Sequence, residues 1–304
     1  MIYDIVIIGG GPAGLSAALY ASRAGRKTLV LEKAWTGGQI FQTHRVENYP
    51  GLTSISGPDL SQQLEEQARS FGAELKLASV ARVDLVSSPK IITLGDGTKI
   101  GAQAIILAMG CQPRLLGIPG EREFTGRGVS YCATCDGRFF QGKRIAVIGG
   151  GDTALEEALF LTRYASEVIL IHRRDKLRGT KVLQDRLMAE PKVTILWNTQ
   201  ALEIQGKQNV SGLSIQNTLT GAIDCLDIDG VFIYVGFKPN SELISDQVEL
   251  DHEGFVLADS DTLLTNCSQV YAIGDLRVKP LRQVVTAVAD GAIAAVLADR
   301  YLNN

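Results

Sequence analysis

The sequence predicts an α/β protein in which one strand–helix–strand unit occurs twice, the second copy inserted into the first. Three observations carry that expectation. An apolar strand, a glycine turn, an alanine-rich helix and a second apolar strand recur in YDIVIIGGGPAGLSAALYASRAGRKTLVLEK and in KRIAVIGGGDTALEEALFLTRYASEVILIHRR. The 304 residues exceed what one hydrophobic core usually serves, so about two domains are expected. A further strand and helix, SQVYAIGDL and KPLRQVVTAVADGAIAAVLADRYL, stand near the carboxyl end, far from the amino-terminal copy they are expected to complete.

In the first copy Gly9, Gly11 and Gly14 form a GxGxxG pattern between a strand and a helix that begins near Pro12. Such glycines serve the turn, the close approach of backbone to a pyrophosphate, and the packing of helix on strand. The helix then points its amides and positive dipole end at the phosphates, and Glu32, ending the next strand, can accept hydrogen bonds from ribose hydroxyls. The second copy has the GxGxxA form, Gly149, Gly151 and Ala154, with Asp152 and Thr153 opening its helix and counted among its cofactor-binding residues. Its second strand, EVILI, ends in bases, so that His172, Arg173, Arg174 and Arg178 stand where the ribose edge is expected. A carboxylate there would repel a 2′-phosphate, whereas guanidinium groups grip it in bidentate fashion. Two Rossmann-like dinucleotide-binding domains result, the second reading as a site for NADP(H) rather than NAD(H).

One nicotinamide site does not explain two folds, so the first is expected to hold FAD. Near the carboxyl end, Gly274 and Asp275 close a strand, and Val284, Val285, Val288 and Ala292 have helical spacing, which places a helix start close to Leu281. An Asp just before such a helix can bind a polyol chain, and the helix N-terminus stabilises negative charge on a reduced flavin ring. The FAD domain is therefore expected to be discontinuous, residues 1–114 and 242–304, with an NADP(H) domain, 115–241, inserted. Pro119 in LGIPGEREF and Pro239 in VGFKPNSEL, with nearby glycines, mark the boundaries, and the two crossings there would act as hinges.

Composition narrows the function. An apolar share of 45% excludes a disordered chain, and no apolar run approaches the roughly 20 residues needed to cross a bilayer. The start MIYDIVIIGGG lacks the basic flank and cleavage region of a signal peptide, so a cytoplasmic protein without membrane attachment is expected. With 30 basic against 33 acidic residues, the formal charge of −3 offers no attraction for nucleic acid. Five cysteines in such a compartment do not make a disulfide framework. Cys111, Cys225 and Cys267 are scattered singly and read as small hydrophobes.

Cys132 and Cys135, in SYCATCDGRFF, form the one close pair. A Cys-x-x-Cys serves as a redox disulfide, as half of a metal site, or as a staple. Zinc normally needs four ligands, and here no second pair exists while His44, His172 and His252 are isolated from one another. A staple closing so short a loop removes little chain entropy. The short ring instead suits a disulfide poised for exchange, and Asp136, directly after Cys135, is placed to shuttle the proton that disulfide cleavage requires. A hydride-donor site, a flavin site and a dithiol together make an electron path: NADPH to flavin, flavin to the cysteine pair, and the dithiol to an external disulfide.

The chain resembles the bacterial-type, low-molecular-weight thioredoxin reductases nearly end to end, through GGGPAG, GGQI with VENYPG, GVSYCATCDG, GGGDTALEEA, IHRRDKLR and GDLRVKPLRQVVTAVADGAIAA. CATCDG between two nucleotide folds is the most specific of these. The resemblance implies a homodimer, with FAD along Gly9, Gly11, Gly14, Glu32, Gln39, Asn48, Asp275, Arg282 and Gln283. It further implies that Cys135 faces the flavin, that Cys132 attacks thioredoxin or a similar small disulfide protein, and that the inserted domain rotates between two poses. Departures from the family pattern are Met109 and Cys111 around Gly110, Phe41 and His44 in place of threonines, and Gly179 where alanine is usual.

Related activities share this architecture. The flavin subunit of a peroxide-reducing system usually carries an extra N-terminal redox domain not present in these residues, and a ferredoxin-fed reductase lacks the HRR bases. A dithiol oxidase would keep the pair and pass electrons to oxygen. A non-enzymatic sensor would bind both nucleotides and use the disulfide as a switch.

Overall fold

The computed structural model describes residues 2–43, 46 and 48–303; His44, one of the departures named above, lies outside them. The chain divides into two compact units, Met1–Gln112 with Lys238–Asn304, and Pro113–Phe237.

The first unit opens with β1 (Ile2–Ile8), α1 (Pro12–Arg23), β2 (Thr28–Glu32), α2 (Gly57–Ser70) and β3 (Glu74–Leu77). The hairpin strands β4 (Val80–Asp84), β5 (Lys90–Leu94) and β6 (Lys99–Leu107) follow. They form one sheet in the order β3-β2-β1-β6-β5-β4, parallel from β3 to β6 and antiparallel beyond. Side chains alternate along β1: Ile5 and Ile7 pack with Ala13, Ala17, Ala18 and Ala21 of α1, while Val6 and Ile8 join a second core on the other face. Both faces are covered, which is why the strand reads as an unbroken apolar run instead of an alternating one.

The short strand β7 (Cys111–Pro113) leads into the second unit, which starts with β8 (Val129–Ser130) and the single turn α3 (Ala133–Asp136). Next come β9 (Arg144–Gly149), α4 (Asp152–Leu161), β10 (Glu167–Ile171), α5 (Lys181–Ala189) and β11 (Val193–Leu196). Antiparallel β12 (Thr199–Gly206), β13 (Val210–Asn217) and β14 (Ile223–Asp227) precede β15 (Gly230–Tyr234). A five-stranded parallel sheet runs β11-β10-β9-β15-β8. One face, through Ile145 and Val147, carries α4; the other, through Ala146 and Ile148, is covered by Ile204, Leu213 and Ile215 of the antiparallel sheet.

The chain returns through β16 (Phe237–Pro239) to β17 (Val270–Ala272), which joins the carboxyl end of β6 in parallel, and ends with α6 (Val284–Leu302). The crossings fall a few residues before the positions 114/115 and 241/242 read from the sequence. Backbone pairing gives the reason: Asn240 N–H donates to the Gly110 carbonyl at 3.0 Å within the first unit, and Arg114 N–H donates to the Gly236 carbonyl at 2.9 Å within the second. Buried Glu121 fixes the loop after the first crossing, accepting from Leu116 N–H at 3.0 Å and Gly117 N–H at 2.7 Å.

One detail corrects the sequence reading. Helix α6 starts at Val284, not near Leu281, because Gln283 is its N-cap in a reciprocal capping box with Thr286. Its buried face runs through Ala287, Gly291, Ala294, Ala295 and Ala298, while Val285 is exposed. Small residues win because α6 lies directly on α1; a Cβ at Gly291 would overlap the Ala13 carbonyl and come 2.8 Å from Ala17 N. Alanine is intrinsically the better helix former by about 1 kcal/mol, yet Gly291→Ala should lower the melting temperature, since two helix backbones would have to separate. Thermal unfolding of the variant followed by circular dichroism checks this; an unchanged or raised midpoint would contradict the close packing.

Candidate functional site

In the first unit the three fingerprint glycines have distinct physical grounds. Gly9 has φ +110° and a Cβ there would overlap the Ala108 carbonyl, while a Cβ at Gly14 would overlap the Gly9 carbonyl. A Cβ at Gly11 would meet nothing within 4 Å. The chain's own packing therefore demands Gly9 and Gly14, whereas the bare backbone at Gly11, just before the N-terminus of α1, suits a group that comes from outside. Glu32 at the end of β2 holds this turn, accepting from Gly10 N–H at 2.8 Å and from Lys33 N–H at 2.7 Å.

At the carboxyl ends of the same strands, Asp275 follows Gly274, whose φ is +66°. Burial pushes the Asp275 carboxyl above its ordinary range, with Lys279 and Arg282 opposing, and its Oδ1 is buried without a hydrogen-bond partner among the described residues. An orphaned buried acceptor beside a helix N-terminus fits a hydroxyl-bearing ligand. Around it, Gln39 donates to the Cys111 carbonyl, Asn48 donates to Gln283 Oε1 at 3.0 Å, and the Arg282 guanidinium lies 4.1 Å from the centre of the Phe255 ring. Gln283 thus links the cap of α6 to Asn48. Cys111 is buried, which pushes its thiol up to about 12, with Asp275 adding to the rise. The Met109 carbonyl accepts from Asn240 at 2.7 Å, and exposed Phe41 packs against Trp35 with ring centres 5.7 Å apart.

Sequence reasoning missed the residue that organises this end. Asp290, on the inward face of α6, is buried; its Oδ2 accepts from Gly274 N–H, Arg277 Nε and Lys279 Nζ, each at 2.9 Å, and its Oδ1 accepts from Arg277 at 3.0 Å. Burial alone would raise its pKa, but the hydrogen bonds and charges of Arg277 and Lys279 outweigh that and hold the carboxyl below its ordinary value. The readable signal was an acid on the small-residue stripe of an apolar helix, with two bases just upstream in GDLRVK.

The second unit repeats the turn with its own variations. A Cβ at Gly149 would lie 2.5 Å from Ala154 Cβ and 2.6 Å from the Tyr234 carbonyl, whereas one at Gly151 would meet nothing within 4 Å. Asp152 Oδ1 accepts from Thr180 N–H at 2.6 Å, so it serves the start of α5, and Thr153 lies exposed in the first turn of α4. The family departure at Gly179 has a local cause: a Cβ there would sit 2.8 Å from the side chain of fully buried Leu155. Arg173, Arg174 and Arg178 are exposed beyond β10. His172 is not among them; it is buried, and both ring nitrogens face backbone carbonyls, those of Gly149 at 2.7 Å and Lys176 at 2.8 Å.

Cys132 and Cys135 are joined in a disulfide across α3. Ser130, at the end of β8, donates to Asp136 Oδ2 at 2.6 Å and accepts from Cys132 N–H at 3.1 Å, tying the acid to the first cysteine's backbone. Burial raises the Asp136 pKa, and the Ser130 hydrogen bond only partly offsets it. Ser130 was not read from the sequence, although it stands two residues before the pair. Near them lie buried Tyr234 and one more orphaned atom among the described residues, Glu157 Oε2. Burial and the Glu156 charge push Glu157 up to about 7, and burial with Glu157 pushes Tyr234 well above its ordinary value. Of the single cysteines, Cys111 and Cys267 are buried as small hydrophobes, whereas Cys225 is exposed on β14, where its thiol donates to Gln205 Oε1 at 3.4 Å. Among the described residues no helix is long and apolar enough to cross a membrane, and no cluster of three metal-ligating side chains occurs.

The profile of the pyridine nucleotide-disulphide oxidoreductases matches residues 3–291. A protein named thioredoxin reductase from Peptoclostridium acidaminophilum is 46% identical over 308 residues, covering 99% of this chain and 97% of the relative. A bifunctional thioredoxin reductase/thioredoxin from Mycobacterium leprae is 46% identical over 302 residues, 99% of this chain and 66% of its own. The crystal structure of thioredoxin reductase from Streptococcus pyogenes superposes with a TM-score of 0.94 at 43% identity, covering 99% and 98% of the two chains.

Asp290→Asn would leave Arg277 and Lys279 buried without a countercharge and should cost about 3 kcal/mol of stability. Because the folded carboxyl is held below its unfolded value, its contribution is fully present above the unfolded pKa and is lost as pH falls through the folded one. The gap between wild type and variant in urea titrations should therefore narrow on acidification; a gap independent of pH would contradict the charge assignment.

Proposed function

The chain belongs to the pyridine nucleotide-disulphide oxidoreductase family, and on that footing we propose that it is an NADPH-dependent flavoprotein that reduces thioredoxin, or a similar small disulfide protein, through FAD and the Cys132–Cys135 pair. The observation that carries this reading is the dithiol itself. A disulfide with a buried acid at 2.6 Å from Ser130 lies in the same unit as a glycine turn flanked by three exposed arginines.

Gly9, Gly11, Gly14 and Glu32 would bind the adenosine and pyrophosphate of FAD, and the orphaned Asp275 would accept from its polyol chain. Gln39, Asn48, Arg282 and Gln283 complete that site by family likeness. In the inserted unit Gly149, Gly151, Asp152 and Thr153 would shape the NADPH turn, with Arg173, Arg174 and Arg178 taking the 2′-phosphate. Bound FAD would supply the step no side chain can, linking hydride transfer to two-electron reduction of a disulfide.

The protein's own groups handle sulfur and protons. Two electrons entering the Cys132–Cys135 bond break it and leave two sulfurs, one of which takes the proton held by Asp136. The Cys132 thiolate then attacks the external disulfide, whose S–S bond breaks and whose leaving sulfur is protonated. Cys135 next attacks Cys132 Sγ in the mixed disulfide, releases the second thiol of the partner, and re-forms the internal bond. Reduction on one side and delivery to a protein on the other call for the inserted unit to turn on its two crossings during turnover. Family likeness also supports a homodimer and a cytoplasmic setting.

Cys135→Ser should abolish NADPH-driven reduction of thioredoxin while the flavin is still reduced by NADPH; loss of both would make the pair merely structural. Asp136→Asn should lower thioredoxin turnover on the order of 100-fold, the usual weight of a general acid, and an unchanged rate would remove Asp136 from the reaction. Replacing Arg173 and Arg174 by Ala should raise KM for NADPH far more than for NADH.

A further inference from the structure

We propose that His172 is a positioning residue for nucleotide selection: its ring clasps the basic loop to the glycine turn and so fixes where the arginines stand, without itself touching the nucleotide. The inference deepens the NADPH reading and rests on it. His172 ends β10 and is 6% exposed. Its Nδ1 lies 2.7 Å from the Gly149 carbonyl, in the first glycine of the fingerprint, and its Nε2 lies 2.8 Å from the Lys176 carbonyl, in the middle of RRDKLR. Both partners are acceptors: a neutral ring donates from one nitrogen while the other only faces a carbonyl, an imidazolium donates from both, and in either form the buried ring presents neither nitrogen to a phosphate.

The ring is also part of the wall of the turn. A Cβ at Gly150 would overlap His172, so the middle glycine is required by the imidazole and not by the nucleotide. Trp197 meets the ring edge-on at 6.3 Å between centres. The loop is pinned at three further points: the Arg174 carbonyl accepts from Asn198 N–H at 3.2 Å, Leu177 is buried in the core beneath α4, and Arg178 N–H and Gly179 N–H donate to the Gly150 carbonyl at 2.7 and 3.1 Å. The Arg178 and Gly179 bonds hold the end of the loop. Only the His172–Lys176 contact holds its middle to the turn among the described hydrogen bonds, and Arg173, Arg174 and Lys176 all project from that stretch.

Removing the ring nitrogens would leave two carbonyls facing an apolar neighbour and let the loop relax toward water. A guanidinium fork that is displaced loses the alignment on which bidentate phosphate binding depends, while contacts of the turn with the pyrophosphate persist. The expected signature is thus a loss of discrimination for the 2′-phosphate at nearly constant affinity for the rest of the nucleotide.

Calorimetric titration of the FAD-loaded protein with adenosine 2′,5′-bisphosphate and with 5′-AMP tests this without turnover. Wild type should prefer the bisphosphate. His172→Phe keeps the ring volume but no donor, and should reduce that preference about tenfold while 5′-AMP affinity changes less than about twofold; His172→Gln, with one donor group able to reach one carbonyl, should fall between. Should the Phe variant fail to fold, as judged by FAD content and circular dichroism, the Gln variant gives the same comparison. An unchanged preference, or a parallel loss for both ligands, would overturn the role of His172 alone. A wild-type protein that binds both ligands alike would overturn the 2′-phosphate reading, and this inference with it.

Discussion

Everything functional in this chain depends on bringing the start of a helix against the end of a strand with no side chain between them. At Gly14 α1 lies so close to the turn after β1 that a Cβ would overlap the Gly9 carbonyl, at Gly9 a Cβ would overlap the Ala108 carbonyl just after β6, and at Gly149 the same closeness involves Ala154 and the Tyr234 carbonyl. The approach aligns helix amides over the strand ends. It also leaves Gly11 and Gly151 bare toward the outside, the two fingerprint positions where a Cβ would meet nothing within 4 Å. The remaining site residues are arranged around these two turns: Glu32 braces the first, and His172 and Asp152 brace the second.

Charge is handled differently at the two ends. In the first unit Asp290 gathers Arg277, Lys279 and the Gly274 amide into one satisfied hub, which leaves neighbouring Asp275 as the unpaired buried acceptor. In the second unit the acids behind the disulfide are not neutralised by bases. Burial is the leading influence on Asp136 and Glu157 alike, and both are pushed toward the protonated form. Tyr234 spans the unit: its carbonyl closes the nucleotide turn beside Gly149, and its buried hydroxyl feels both Glu157 and Asp136. The turn that would take NADPH and the dithiol thus share one strand end.

Much of this was legible in the sequence because it rests on local patterns. The α/β class, the repeated unit and the strands β1, β2, β9 and β10 follow from apolar runs bounded by glycine turns. The CxxC pair was read as redox chemistry from the lack of further metal ligands and from the two nucleotide folds around it. What escaped depends on tertiary contact. The valine spacing of α6 is a genuine helical period, but close packing on α1 selects the smaller stripe through Gly291. His172 looked like one more base in HRRDKLR until burial turned both nitrogens onto carbonyls. Asp290, Glu157 and Tyr234 carry no local motif at all; their significance arises from partners 11 to 16 residues away for Asp290, and from elements joined only in the fold for the other two.

The most direct test of the central claim is an anaerobic titration of the purified yellow protein with NADPH, followed by oxidised thioredoxin, with flavin absorbance monitored throughout. The account predicts bleaching by NADPH and recovery of the oxidised spectrum when thioredoxin is added, with two thiols appearing on thioredoxin for each NADPH consumed. A flavin that NADPH does not bleach, or one that stays bleached in the presence of oxidised thioredoxin, would contradict it.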